Sequence, residues 1–219
     1  MSASRESTPV IVPGGHPGAL VRLVDVVVDP RAAFRGIAEQ PSWLAAFIAV
    51  VVARFVSLFV FYHPDTTPVK LAIGITFQVA MVMPMILASA TLLWVSGRAW
   101  DVRFPWPTAF SVATHVLVAY TIVTIAVASV AGAMLPASVA VDLREPPFTN
   151  LAQLADVVHS PRWARVLAEA DVRSAYALVL TAVGIRAAQP MVGRARIIGV
   201  VVSCFAARVL AVLLAVANR

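Results

Sequence analysis

The residues able to do chemistry in this chain are few and far apart. Its histidines are His16, His63, His115 and His159, and its single cysteine is Cys204. A zinc site needs ligands at short, regular spacing, and nucleophilic catalysis needs a base beside the nucleophile. These residues have neither arrangement, and one cysteine cannot form an intrachain disulfide. There is no GxSxG and no HExxH, and the "PGGHPG" of residues 13–18 lacks the strand and helix that would make it a phosphate cradle. The expectation is therefore a protein that is not an enzyme, with no catalytic, cofactor-binding or metal-binding residues.

Four polar residues stand out because of their apolar surroundings: Arg54, Gln78, His115 and Arg208. A charge at the centre of a bilayer costs at least about 2.5 kcal/mol, so Arg54 and Arg208 each need a partner or water. No Asp or Glu lies within the apolar runs to supply one. Facing inward, the two arginines would line a basic intramembrane cavity for an anion or a lipid headgroup, as in a transporter or channel subunit. In the simpler reading they snorkel or cap helix carbonyls, with Gln78 and His115 nearby. His115 could relay protons near neutral pH, but a structural hydrogen bond between helices is again the simpler reading.

The elements that must position these groups follow from composition. The chain has 219 residues, 60% hydrophobic and 13% charged, with mean hydropathy +0.87. That leaves too little polar surface to coat a water-soluble globule. Runs close to the roughly 20 residues needed to cross a bilayer predict five spans, at about 43–62, 69–95, 110–135, 174–188 and 197–217. Pro84 predicts a kink in the second, and Trp94, Trp100 and Trp106 stand where aromatic rings prefer the headgroup layer. Residues 1–18 read as a flexible tail without the apolar core of a signal peptide. The long connection after the third span carries signals for two short surface helices, with Asn150 and Ser160 as caps and Pro161 at a first helical position.

Residues 19–41 are polar for their position. In "DPRAAFRGIAEQP", Asp29 can cap a helix that has Pro30 at its first position. Phe34, Ile37, Ala38 and Pro41 then share one face, and Arg31, Arg35 and Glu39 another. This pattern fits an amphipathic helix in the membrane interface, with Phe34 and Ile37 among acyl chains and Arg31 and Arg35 near lipid phosphates. The preceding "LVRLVDVVV" predicts a second interfacial helix with Leu20, Leu23, Val24 and Val27 on one stripe, a buried strand being the alternative.

Charge sets the expected orientation. With the N terminus inside, Arg5, Arg22, Arg31, Arg35, Arg98, Arg103, Arg186, Arg194 and Arg196 are cytoplasmic. Lys70, Arg144, Arg162, Arg165, Arg173 and Arg219 are then outside. The excess favours an N terminus in and a C terminus out. The sequence pI near 10.7 raises nucleic acid as a partner, but the basic residues are scattered between apolar spans, which excludes it. The expected partners are membrane lipids, other membrane proteins or further copies of the chain.

Three stretches carry a family likeness: "LVDVVVDPRAAFRGIAEQPSW" before the first span, "AFSVATHVLVAYTI" opening the third, and "EADVRSAYALVLTAVGIR" followed by "RARIIGVVV". From about Leu20 onward the chain resembles the Yip family of Ypt/Rab-interacting membrane proteins, specifically its bacterial branch, whose entry segment has the form P-x-x-x-F. It departs from the family pattern at Arg173 and Tyr176, where an aromatic and a Trp usually stand. The resemblance implies an all-α integral membrane protein of five transmembrane helices behind one or two interfacial helices, with a cytoplasmic N terminus. The bacterial branch has no settled activity; the five spans, the interfacial entry helix and the absence of catalytic motifs predict a noncatalytic scaffolding or membrane-organising protein of the bacterial inner membrane.

Overall fold

The computed structural model describes residues 18–60, 67–134 and 171–217. These form seven helices: α1 (Ala19–Val28), α2 (Pro30–Glu39), α3 (Leu44–Val60), α4 (Pro68–Ala99), α5 (Trp106–Met134), α6 (Val172–Ala188) and α7 (Arg194–Ala217). The N-terminal tail and the two surface helices expected between the third and fourth spans lie outside the described residues.

Side chains mark the helix starts. Asp29 Oδ1 accepts from the Ala32 N–H at 3.1 Å, with Pro30 at the first helical position. Thr67 does the same for α4 and Asp171 for α6, each satisfying a donor that the first turn leaves open. The "LVRLVDVVV" segment is helical, not a strand. Helix α4 continues through Pro84 over 32 residues, about 48 Å at 1.5 Å per residue. Hydroxyls inside the apolar helices bond back to their own chain: Thr76, Thr91, Thr114, Thr121, Thr124 and Thr181 each donate to the carbonyl four residues earlier. Each hydroxyl thereby avoids lying unpaired in an apolar medium.

Among the described residues, three helices are long and apolar enough to cross a membrane: α4, residues Trp106–Val127 of α5, and residues Arg194–Leu214 of α7. The expected first and fourth spans, α3 and α6, have 17 residues each, about 26 Å, which is the lower limit for a crossing. The helices alternate in direction. Gln189 Nε2, just after α6, donates to the Arg103 carbonyl between α4 and α5 at 2.6 Å. Ser111 near the start of α5 donates to the Ser42 carbonyl ahead of α3 at 2.7 Å. Hence α3, α5 and α7 start at one end of the bundle, where α4 and α6 finish.

Helix α5 is central. Half of its span is buried inside the protein, against 11% for α4 and 17% for α7. One face of α5 packs with α3 and α4 through Val50, Val82, Ile86 and Phe110. The other meets α2 and α6 through Phe34, Ile37, Val112 and Leu180, in a cluster that Val200 of α7 completes from its seat on α4 and α6. The outer faces of α4 and α7 present Ile73, Phe77, Leu87, Val202, Leu210 and Leu214, an apolar surface that water would not tolerate. This is the surface of a membrane protein.

Two expectations about the N-terminal segment are overturned. Phe34 and Ile37 are fully buried inside the protein rather than among acyl chains. They pack on α6 at Gly184, where an added Cβ would stand 2.7 Å from Val112 Cγ1 and 3.3 Å from Phe34 Cδ1. Helix α1 is also turned: Arg22 and Val26 are buried, while Val21, Val24, Val27 and Val28 are exposed. The physical reason is common to both. An amphipathic helix can cover its apolar side with protein as well as with lipid.

Gly184→Val tests the close approach. Val112 is β-branched and stiff, so it cannot swing away from the new side chain. Overpacking of this kind costs about 1–3 kcal/mol, and the thermal unfolding midpoint in detergent is expected to fall. Gly74→Ala, which meets nothing within 4 Å, is expected to leave the midpoint unchanged or slightly raised.

Candidate functional site

Buried polar groups are concentrated where α1, α2, α3 and α5 meet. Arg22 on α1 is only 5% exposed. Its Nη1 donates to the Gln40 carbonyl at 3.1 Å and to Ser42 Oγ at 3.2 Å. The guanidinium lies beside Gly36, where a Cβ would make an ordinary contact 3.7 Å from Nε. That Nε is buried without a hydrogen-bond partner among the described residues. Arg22 therefore clamps α1 onto the hinge between α2 and α3, and Ser42 carries the connection on to Ser111 of α5.

His115 lies one turn beyond Ser111 and is almost completely buried. Its Nδ1 is 2.8 Å from the Ser111 carbonyl, which can only accept, so this nitrogen carries the hydrogen. The bond stays within α5. The expected helix-to-helix bond is made by Ser111 instead.

The expected intramembrane cluster is dispersed. Arg54 is half-buried on α3 and Gln78 half-buried on α4, while Arg208 on α7 is exposed. Helices α3 and α7 do not pack against each other. The Ser42–Ser111 bond sets the register of α3 against α5. At 1.5 Å per residue, Arg54 lies about 18 Å along the bundle from that bond and His115 about 6 Å. Arg54 and His115 thus stand about two turns apart in depth.

What the fold does gather is arginine. Arg31 and Arg35 on the exposed side of α2 meet Arg186 at the end of α6 and Arg194 at the start of α7 around a groove of about 700 Å³. The floor of the groove is apolar and includes Val179, Val183 and Ile198. Arg186 is oriented by a bond from Nη1 to the Val192 carbonyl at 2.5 Å, and Arg35 by one from Nε to the Arg31 carbonyl at 3.4 Å. Arg98, Arg103 and Arg196 belong to the same end. Asp101 lies 3.7 Å from Arg103 and 3.8 Å from Arg196. Arg98 sits 3.8 Å over the Trp94 ring, and Trp94 meets Trp106 edge to face at 5.9 Å. Trp100 Nε1 donates to Ser203 Oγ at 2.9 Å, and its ring lies so close on Gly199 that a Cβ would come within 2.4 Å.

Sequence reasoning placed Arg22, Arg186 and Arg194 only as charges that set orientation. Their sole advance signal was position, Arg186 and Arg194 flanking the short Pro190 turn. Asp171 and Arg173 form a buried ion pair at the start of α6, with Arg173 Nε 2.6 Å from the carboxylate. This pair occupies the place where the family likeness breaks down. Among the described residues, no three His, Cys, Asp or Glu side chains gather to hold a metal ion. No family model, curated protein or solved structure matches the chain. The likeness to the Yip family rests on the quoted motifs alone.

Arg22→Leu should expose the role of the clamp. It leaves the Gln40 carbonyl and the Ser42 hydroxyl without their donor, at a cost of about 1–3 kcal/mol. Limited proteolysis is expected to cut within α1 faster than in the unaltered protein. An unchanged cleavage pattern would mean that α1 is held by its apolar contacts alone.

Proposed function

We propose that the chain is a noncatalytic multi-pass protein of Yip type in the bacterial cytoplasmic membrane. It acts as a scaffold or membrane organiser through helix and lipid contacts. All five helices from α3 to α7 cross, the arginine-rich end faces the cytoplasm, and the N terminus is inside and the C terminus outside. The observation that carries this reading is the charge asymmetry. Arg31, Arg35, Arg98, Arg103, Arg186, Arg194 and Arg196 share one end with Asp101, whereas Lys70 at the start of α4 and Arg173, paired with Asp171, at the start of α6 stand at the other. Retention of basic residues on the cytoplasmic side orients membrane proteins in this way.

The scaffold role draws on how polar groups are used. Arg22 and Ser111 join helices, and His115 bonds within its own. Helix α1 meanwhile turns Val21, Val24 and Val28 outward, an apolar stripe suited to lipid or to another membrane protein.

Orientation is tested by labelling single cysteines with a membrane-impermeant maleimide in a Cys204→Ala background. Met191→Cys, at a position 95% exposed between α6 and α7, is expected to react in inside-out vesicles and not in intact cells. Val69→Cys, at the opposite end, is expected to show the reverse. Matching patterns at both positions would break the alternation of crossings. Liposomes carrying the purified protein are expected to pass anions no faster than empty ones; a flux abolished by Arg54→Leu would replace the scaffold with a transporter.

A further inference from the structure

The arginine-rimmed groove combines two surfaces that few ligands satisfy together. Its rim presents four guanidinium groups, from Arg31, Arg35, Arg186 and Arg194, and among the described residues no carboxylate lines it. Among the described residues none of the four is ion-paired with an Asp or Glu. Glu39 follows Arg35 by one turn of α2 but lies outside the groove lining. Guanidinium groups hold phosphate oxygens through paired N–H donors, so a rim of this kind selects a phosphate-bearing anion. The floor asks for something else. Val179 and Ile198 are both widely exposed and need an apolar cover.

The spacing relates the two demands. Val179 precedes Arg186 by seven residues on α6, about 10 Å along the axis. This is roughly the depth from a phospholipid phosphate into the upper part of its acyl chains. Inorganic phosphate would answer the rim and leave the floor bare, whereas a neutral apolar chain would do the opposite. A zwitterionic lipid would bring its ammonium group into the arginine cluster. We propose that the groove is a binding site for one anionic phospholipid of the cytoplasmic leaflet, a glycerophospholipid without a cationic headgroup. Its phosphate is held by Arg31, Arg35, Arg186 and Arg194, and one acyl chain lies along Val179, Val183 and Ile198. The site is built in advance: Phe34 and Ile37 fix α2 from its buried side, and Arg186 is already held by the Val192 carbonyl. This assignment rests on the membrane placement and orientation proposed above.

The test uses the full chain, stripped of lipid in detergent and titrated with dihexanoyl phosphatidylglycerol, dihexanoyl phosphatidylcholine or inorganic phosphate, with thermal stabilisation as readout. Only the phosphatidylglycerol is expected to raise the melting temperature in a saturable way. The double variant Arg35→Gln with Arg186→Gln is expected to weaken its binding at least tenfold. A second double variant, Arg98→Gln with Arg103→Gln, removes equal charge from the same end outside the groove and is expected to keep the affinity. Val179→Trp fills the floor and should lose the lipid while leaving the rim intact. Equal protection by phosphatidylcholine would overturn the proposal, as would equal protection by phosphate, which would indicate an anion site without lipid. Equal loss in both arginine pairs would reduce the effect to bulk charge and also overturn it. The membrane reading fails separately, if alkaline carbonate releases the chain from membranes or the labelling pattern is inverted.

Discussion

The contact between Phe34 and Gly184 is the one on which the arginine end depends. A helix of ten residues is too short to persist alone, so α2 exists because Ala33, Phe34 and Ile37 are buried against the bundle. Gly184 offers no side chain, and the Phe34 ring and Val112 of α5 both close on the space a Cβ would fill. That approach sets the rotation of α2 about its own axis. Arg31 and Arg35 are then carried to the flank where α6 ends and α7 begins. Like charges repel when brought together. Here the apolar side of the same helix holds them in place.

The bundle also divides its surfaces by depth. Along α4 and α7 the outward residues are aliphatic or aromatic, and on α4 the hydroxyls of Thr76 and Thr91 are absorbed by carbonyls one turn back. At the arginine end the surface changes to guanidinium groups and indole rings within a few residues. Trp94, Trp106 and Arg98 interlock there, joining the end of α4 to the start of α5. Indoles and arginines tolerate an environment that is half apolar and half wet, which a single layer of a bilayer supplies. Helix α5 is the exception because protein surrounds it on two faces. It can therefore carry His115, Ser111 and Thr114 fully buried.

Much of the layout was legible because local chemistry determined it. Asp29 before Pro30 announced α2, and the apolar runs located α3 to α7 to within a few residues. The covering of each face was not legible. Phe34 and Ile37 showed that α2 has an apolar side, but only the position of Gly184, about 150 residues further along, decides that protein covers it. Arg22 misled in the same way, since its hydrogen-bond partners lie 18 and 20 residues away and leave no periodic trace. The dispersal of Arg54 and Arg208 had a similar origin. Two arginines central to apolar runs look like a pair until the packing order shows that, among the described residues, α3 and α7 are not packed together. Arg31 and Arg35 were visible as one face of a helix, yet Arg186 and Arg194 complete the rim from helices far along the chain.

The Trp100 indole lying on Gly199 has an evolutionary consequence. One edge of the ring donates to Ser203 and its face leaves no volume for a side chain at position 199. The two positions are therefore sterically linked: a side chain at 199 requires a smaller residue at 100, a displaced indole or a rotated α7. Rotation would swing Arg194 away from Arg31 and Arg35 and turn Cys204 out of the interior. Among homologous sequences, substitutions at 100 and 199 should therefore occur together, and lineages that have lost the indole should be those free to vary the glycine.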